Sequence, residues 1–477
     1  MSNMGRKARV GLLLIGSPRF RALGEGTPSG DYEARQAKAS KRIVSAAGEL
    51  GDLINPGIVY SREDMRRAMD EFFMKRADCV IALYMSWAED FAWIRFLRDM
   101  PEIPILFAHI VRDTLGFTDT HDENDFIEFL AAGGLVGTQE ASGSIPRFSR
   151  PMMETAVGTL ADVMERARVF TQAARVRGIL RESVIGLLAS YNEVMWSTYV
   201  DPYDIFTKIG PEIRFLSVAG LTEEIDKVAP EEARAACDAL ARKYTVLPDV
   251  DFEKFEASMR ASIALERMAA AAGVDLLVLN DIDPVLFRHV GLRPGFTPCP
   301  GGPPVTVVPE GDIGGGVATY VLKLLAGRPV NFIEPFHIDH PGKCFAAGHA
   351  GPNDYTDPEG SVQIARDVRF AKSGYKHAGA PFAWYVIPPG LKTMLHCSQG
   401  PERFKLVVTR VEALPTEHFI TSYSHGLLRP LSGTSEQLFD RLVRIGVTQH
   451  YGLAPGDYVP HIRSLAAMLG FDFTEIS

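Results

Sequence analysis

Four residues of this 477-residue chain have the types and spacing to gather around a divalent cation: Glu310, Glu334, His349 and His450. Glu310 sits in "VVPEGDIGGG", a glycine cluster after a β-branched run, which is the usual setting of a phosphate loop. Glu310 and Asp312 would repel a phosphate there, so the loop suits a cation instead. Further on, "NFIEPFHID" supplies Glu334 and "CFAAGHAGPND" supplies His349, whose small neighbours leave the imidazole room to reach inward. "GVTQHYGLAPGDYVPHI" adds His450 in a turn-rich stretch. Two carboxylates and two imidazoles make a set of hard oxygen and borderline nitrogen donors, suited to a divalent ion such as Mn²⁺ with room for substrate oxygens. Eight of the twelve histidines fall between His337 and His450, which concentrates that chemistry in the last third of the chain. Each residue also has an ordinary alternative. Glu310 could complement a helix dipole, Glu334 could pair with Arg328 or Lys343, and the histidines could satisfy buried backbone groups.

The elements that must position these residues follow from hydrophobic periodicity. Residues 1–171 alternate continuously apolar strands ("RVGLLLIG", "ADCVIALYM", "PILFAHIV") with helical segments, which predicts a doubly wound, Rossmann-like parallel sheet covered on both faces. In "SREDMRRAMDEFFMKR", Ser61 and Asp64 are spaced almost as a capping box. After "SGSIPRFSRP" a long helix is expected from "METAVGTLADVMERARVFTQAARVRG" onward. Residues 172–330 repeat the α/β alternation and form a second such domain carrying Glu310. Residues 331–477 change character: short strands bounded by Gly and Pro ("SVQIARDVRF", "PFAWYVIPP", "TMLHCSQ", "RFKLVVTRVEAL") predict a β-rich, antiparallel, barrel-like domain carrying Glu334, His349 and His450. "PVTVV" then reads as a strand ending at Glu310, and "RPVNFIEPFHID" as its parallel neighbour across a crossover helix. That topology would set the two carboxylates about 5–10 Å apart at adjacent strand ends. The glycines of "GDIGGG" would let backbone and a cation-bound polyol approach each other.

Composition excludes several classes. A hydrophobic content of 46% and a charged content of 23% are those of a folded globular chain, and a net charge of −9 lacks the basic face of a nucleic-acid binder. The five cysteines include no CxxC pair, so reduced, buried thiols are expected. The first apolar run is too short for a signal sequence and no run approaches the ~20 residues of a membrane span, so a cytoplasmic protein with no membrane partner is expected. The first strand runs into "GSPRF" rather than a GxGxxG turn, which argues against a nicotinamide dehydrogenase.

The same segments resemble the L-fucose/L-arabinose isomerase superfamily of metal-dependent aldose–ketose isomerases. The likeness is carried by the Glu-Gly-Asp-plus-glycines run at Glu310, the strand with Glu334, "GHAG" at His349 and "QHYGLAPGDYVPHIRSLAAMLGF" at His450, in matching order and spacing. It implies that Glu310 and Glu334 are the paired acid/base residues and also metal ligands. It further implies that His450 is the C-terminal metal histidine and that His349 is the additional histidine of the arabinose-isomerase branch. Glu334 favours that branch, because the fucose-isomerase branch has an aspartate there, whereas the surroundings of His450 look more like the fucose enzyme. "ADCVIALYMSWAEDF" resembles the first-domain segment that borders a neighbouring subunit's site, which implies a homo-oligomer such as a hexamer.

The chemistry expected from this resemblance is proton transfer through a metal-bound enediolate of a pentose or 6-deoxyhexose, with a metal-assisted hydride shift as the other route. Trp87, Asn353 and His396 are candidates to meet sugar hydroxyls. Two alternatives keep the fold: the same metal site acting on a modified or branched sugar or a sugar acid, and a sugar-binding protein without catalysis.

Overall fold

The computed structural model describes residues 5–26, 30–112, 119, 121–150, 152–303, 305–357 and 361–477. The chain divides into two compact units, one of residues 6–178 with 463–470 and one of residues 179–462 with 471–477.

The first unit is built on six strands: β1 (Arg9–Ile15), β2 (Asp52–Ile54), β3 (Ile58–Val59), β4 (Cys79–Tyr84), β5 (Ile105–Ile110) and β6 (Met153–Gly158). All pair in parallel in the order β2-β1-β4-β5-β6, with β3 continuing beside the end of β1. β4 is buried along its whole length, as the unbroken apolar run requires. Ser61 and Asp64 close a capping box on the helix Arg62–Met74, as their spacing predicts. One expectation is corrected. "METAVG" opens no helix but forms β6, paired in register with β5, and the helix begins only at Leu160. Thr155 and Val157 are β-branched and favour the strand, and Asp162 accepts the N–H of Thr159 at 3.0 Å to start the helix afresh.

The second unit contains two sheets. β7 (Val184–Leu188), β8 (Glu212–Leu216), β10 (Leu276–Leu279) and β11 (Thr306–Val308) form a parallel sheet in the order β11-β10-β7-β8, while the short β9 (Thr245–Val246) joins the other sheet. That larger sheet contains β12 (Asn331–Asp339), β13 (Cys344–His349), β14 (Ser361–Arg366), β15 (Pro381–Val386), β16 (Gly390–Gln399), β17 (Phe404–Leu414), β18 (Ser424–Pro430), β19 (Tyr451–Pro455) and β20 (Asp472–Ile476). Six of them, in the order β17-β16-β19-β12-β13-β18, are antiparallel and close into a barrel through the β17–β18 pairing. The expected β-rich region is therefore a closed six-stranded barrel, and closure removes the edges an open sheet would leave unpaired.

The expected path from β11 to β12 is also corrected. β11 lies at the edge of the parallel sheet, and the helix Ile313–Ala326 carries the chain out of that sheet into the barrel, where β12 runs antiparallel between β13 and β19. Eleven of that helix's fourteen residues are buried, because it is covered on both sides. A Cβ on Gly316 would stand 3.1 Å from Val278 and Val308 of the parallel sheet, one on Gly314 2.5 Å from the Cys397 carbonyl, and one on Gly315 2.8 Å from Phe332 and 3.0 Å from the His450 Cβ. These glycines let the helix wedge between sheet and barrel. These three serve packing.

Candidate metal centre

Glu310 follows β11, at the C-terminal end of a parallel strand, with φ of 63°. A non-glycine residue in that left-handed region costs ~1–2 kcal/mol, so its surroundings must hold it there. They do: the Glu310 N–H donates to Asp281 Oδ1 at 2.9 Å, and the fully buried Asp281 is matched by Arg293 at 3.3 Å, which also bonds Asp367 at 3.1 Å. The turn therefore aims the Glu310 side chain away from its own sheet, toward the barrel.

Asp312 is the N-cap of the helix that follows, its Oδ1 accepting the Gly315 N–H at 2.9 Å. Its other oxygen accepts from His450 Nδ1 at 2.8 Å. With Nδ1 engaged as donor, the Nε2 of His450 is the free atom, and it stands 3.4 Å from Glu310 Oε2. That spacing is an ion-pair contact rather than a well-formed hydrogen bond. A carboxylate that fixes the tautomer of a ligating imidazole is a recurrent support for metal sites.

His349 ends β13. Its Nδ1 bonds the Ala350 carbonyl, which leaves Nε2 directed at Glu310 Oε2, 3.8 Å away. Both imidazole Nε2 atoms are buried and have no hydrogen-bond partner. One ligand atom each from Glu310, His349 and His450 lie within 4.8 Å of one another. Two orphaned imidazole nitrogens converging on one carboxylate oxygen fit a divalent ion at ~2.0–2.2 Å from each, because the ion would satisfy all three groups at once.

The electrostatics agree with that fit. Burial would raise the Glu310 carboxyl, but His450 foremost, with Arg369 adding to it, outweighs burial and holds the group at about 2. Burial depresses His349 to about 3, so its imidazole is neutral and ready to ligate. Burial opposes charge on His450 as well, yet Asp312 and Glu310 raise it to about 9, so a cation entering the site would take the place of that proton.

Glu334 stands beside this group rather than in it. β12 lies between the strands of the two histidines, with Glu334 opposite Gly348 on one side and Ile333 opposite Tyr451 on the other. Burial first and the charge of Glu310 second raise its pKa, while the charge of His450 and then the Tyr423 hydroxyl act the other way. The structure thus brings Glu310, His349 and His450 together and sets Glu334 within electrostatic reach of them.

The residues expected to meet sugar hydroxyls have protein partners. The Asn353 amide is engaged with the backbone of Phe332, accepting its N–H at 3.1 Å and donating to its carbonyl at 2.8 Å, which clamps the strand that carries Glu334. His396 is fully buried and braces the His450 carbonyl through Nδ1 at 2.9 Å. Trp87 belongs to the first unit, where its indole N–H donates to Glu140. Sequence reasoning left Asp312, Asp281 and Tyr423 without roles. Asp312 was detectable as a helix N-cap, whereas nothing in the local pattern marks Asp281 or Tyr423.

Compared with known proteins, the chain matches no family model and no curated protein. Among the described residues, no helix is long and apolar enough to cross a membrane, and all five cysteines are buried and unpaired.

Proposed function

We propose that this chain is a metal-dependent aldose–ketose isomerase acting on a sugar the size of a pentose or 6-deoxyhexose, like the L-fucose/L-arabinose isomerase superfamily that its motifs resemble. The observation that carries this reading is the buried Glu310–His349–His450 group, with two partnerless imidazole nitrogens and a second carboxylate, Glu334, alongside. A lone structural ion needs no such neighbour, whereas moving a carbonyl between C1 and C2 needs two groups that exchange protons.

A divalent ion such as Mn²⁺, held by Glu310, His349 and His450, would polarise the sugar carbonyl and offset the charge that builds on its oxygens. In the proposed reaction Glu310 and Glu334 share the proton traffic. One carboxylate takes the proton from C2 and returns it to C1, while the other carries the hydroxyl proton from O2 to O1. Each transfer by a well-placed group is worth ~10²–10⁴-fold. Asp312, Asp281 and Asn353 keep the side chains and strands that do this work from drifting. A doubly wound, Rossmann-like layering of both parallel sheets belongs to the same reading. So do a cytoplasmic setting and a homo-oligomer such as a hexamer, in which Trp87 meets a neighbouring subunit's substrate.

The test is metal analysis of the purified chain, followed by incubation with a panel of aldoses and ketoses in D₂O. Deuterium is expected at C1 or C2 of the sugar that reacts. Glu334→Gln is expected to keep the metal and lose at least about a hundredfold in turnover, whereas Glu310→Gln loses the metal itself. A chain that retains no divalent metal, and exchanges no sugar proton with any added ion, would sink the proposal.

A further inference from the structure

The segment between β14 and β15, residues 367–380, is a basic loop in an acidic protein: Arg369, Lys372 and Lys376 accompany one carboxylate, Asp367. Arg293 takes that carboxylate at 3.1 Å. Among the described residues no other acidic group comes within ion-pair distance of the loop, and the guanidinium of Arg369, which forms no ion pair, stands 5.5 Å from the Phe370 ring and 5.9 Å from that of Tyr423.

The loop is anchored, so that free charge has a fixed address. Phe287 stacks on Tyr375 at 4.4 Å and meets Phe370 at 4.6 Å. The Ser422 hydroxyl accepts the N–H groups of Val368 at 2.8 Å and Arg369 at 3.2 Å, and Asp367 accepts the Arg369 N–H at 2.9 Å. Tyr423, next to that serine, connects the loop to the candidate metal centre. Its ring lies 6.5 Å from the His349 ring. Arg369 is exposed and within electrostatic range of Glu310, Glu334 and Asp281, yet it pairs with none of them. An arginine that only balanced Glu334 would form the ion pair. One laid against an aromatic face with its donor fork open is arranged to receive an oxyanion.

We infer that Arg369 binds an anionic group, a carboxylate, phosphate or sulfonate, on the end of the sugar remote from the carbons that react. This rests on the isomerase reading for its substrate frame. The substrate class is then an acidic sugar, and the neutral pentose or 6-deoxyhexose is a poorer version of it.

The test compares matched pairs on the metal-loaded enzyme: ribose 5-phosphate against ribose, galacturonate against galactose, and a 6-sulfonated 6-deoxyhexose against its neutral parent. Calorimetric binding of ribitol 5-phosphate against ribitol serves as a readout independent of turnover. We expect at least one anionic member to exceed its neutral partner tenfold or more in kcat/KM. Arg369→Gln should remove that excess, costing the anionic sugar at least tenfold more than its neutral partner, and Arg369→Lys should keep part of it. The three arms separate the anion types. Equal use of charged and neutral sugars, or an equal loss on both with Arg369→Gln, would overturn the assignment while leaving the isomerase standing. Selective, Arg369-dependent binding of ribitol 5-phosphate with no turnover of any sugar would uphold the anion site and remove the isomerase.

Discussion

His450 reaches the candidate metal centre with its ring already oriented, because Asp312 uses one oxygen to cap a helix and the other to hold Nδ1. This double use makes a specific residue-scale prediction. In Asp312→Asn one amide can still accept the Gly315 N–H, but its NH₂ then faces His450 Nδ1 and forces that atom to accept. The proton moves to Nε2, the atom directed at Glu310, and the imidazole presents a donor where a ligand atom is required. Metal affinity should fall ~10–100-fold, the usual cost of losing such a support. The metal-free melting temperature should also fall, because the buried His450 imidazolium loses its carboxylate partner even though Asn keeps the helix cap. Metal titration by calorimetry alongside a thermal melt checks both halves, and unchanged affinity would remove Asp312 from the site. At this scale the ligand types were readable from sequence, because carboxylates and imidazoles in glycine- or turn-rich contexts stand out. Their supports were not, because Asp281, Arg293 and Tyr423 act through partners that only the folded chain brings near.

At the scale of elements, most strands and helices were legible because burial on both faces writes continuous apolar runs and burial on one face writes alternation. What periodicity does not record is which sheet a strand joins. β11 and β12 read as a parallel pair across a crossover helix, yet the helix between them changes sheets, and three successive glycines are the mark of that change. Gly314, Gly315 and Gly316 each face a different wall, so substitutions there should differ in kind. Gly315→Ala presses a methyl group on Phe332 and the His450 Cβ and should cost ~1–3 kcal/mol together with a measurable loss of bound metal. Gly316→Ala meets the methyl groups of Val278 and Val308, whose strands can yield a few tenths of an ångström, and should cost stability while metal content is kept. Denaturant midpoints and metal stoichiometry of the two variants decide the matter. Equal metal loss in both would mean that the helix moves as a whole and that Gly315 has no special place.

For the whole molecule, the candidate ligands come from two sheets of different construction within one unit: Glu310 from the end of the parallel sheet, His349 and His450 from the barrel. A bound ion would therefore act as a staple between them, and its contribution to stability follows mass action, ~4 kcal/mol when free metal is a thousandfold above its dissociation constant. Chelation should lower the melting temperature, and the loss should not be uniform along the chain. Hydrogen exchange should quicken in β12, β13, β19 and the helix Ile313–Ala326, the elements that carry or abut the ligands, because sub-global opening draws on the contacts that have been removed. β1 to β6 make up the other compact unit, with its own core around Phe72, Trp93 and Phe96, and should keep their protection. Exchange measured by mass spectrometry with and without chelator gives the comparison segment by segment. Faster exchange spread evenly over both units, or none in the barrel strands, would mean that no ion joins the sheet to the barrel at these three residues.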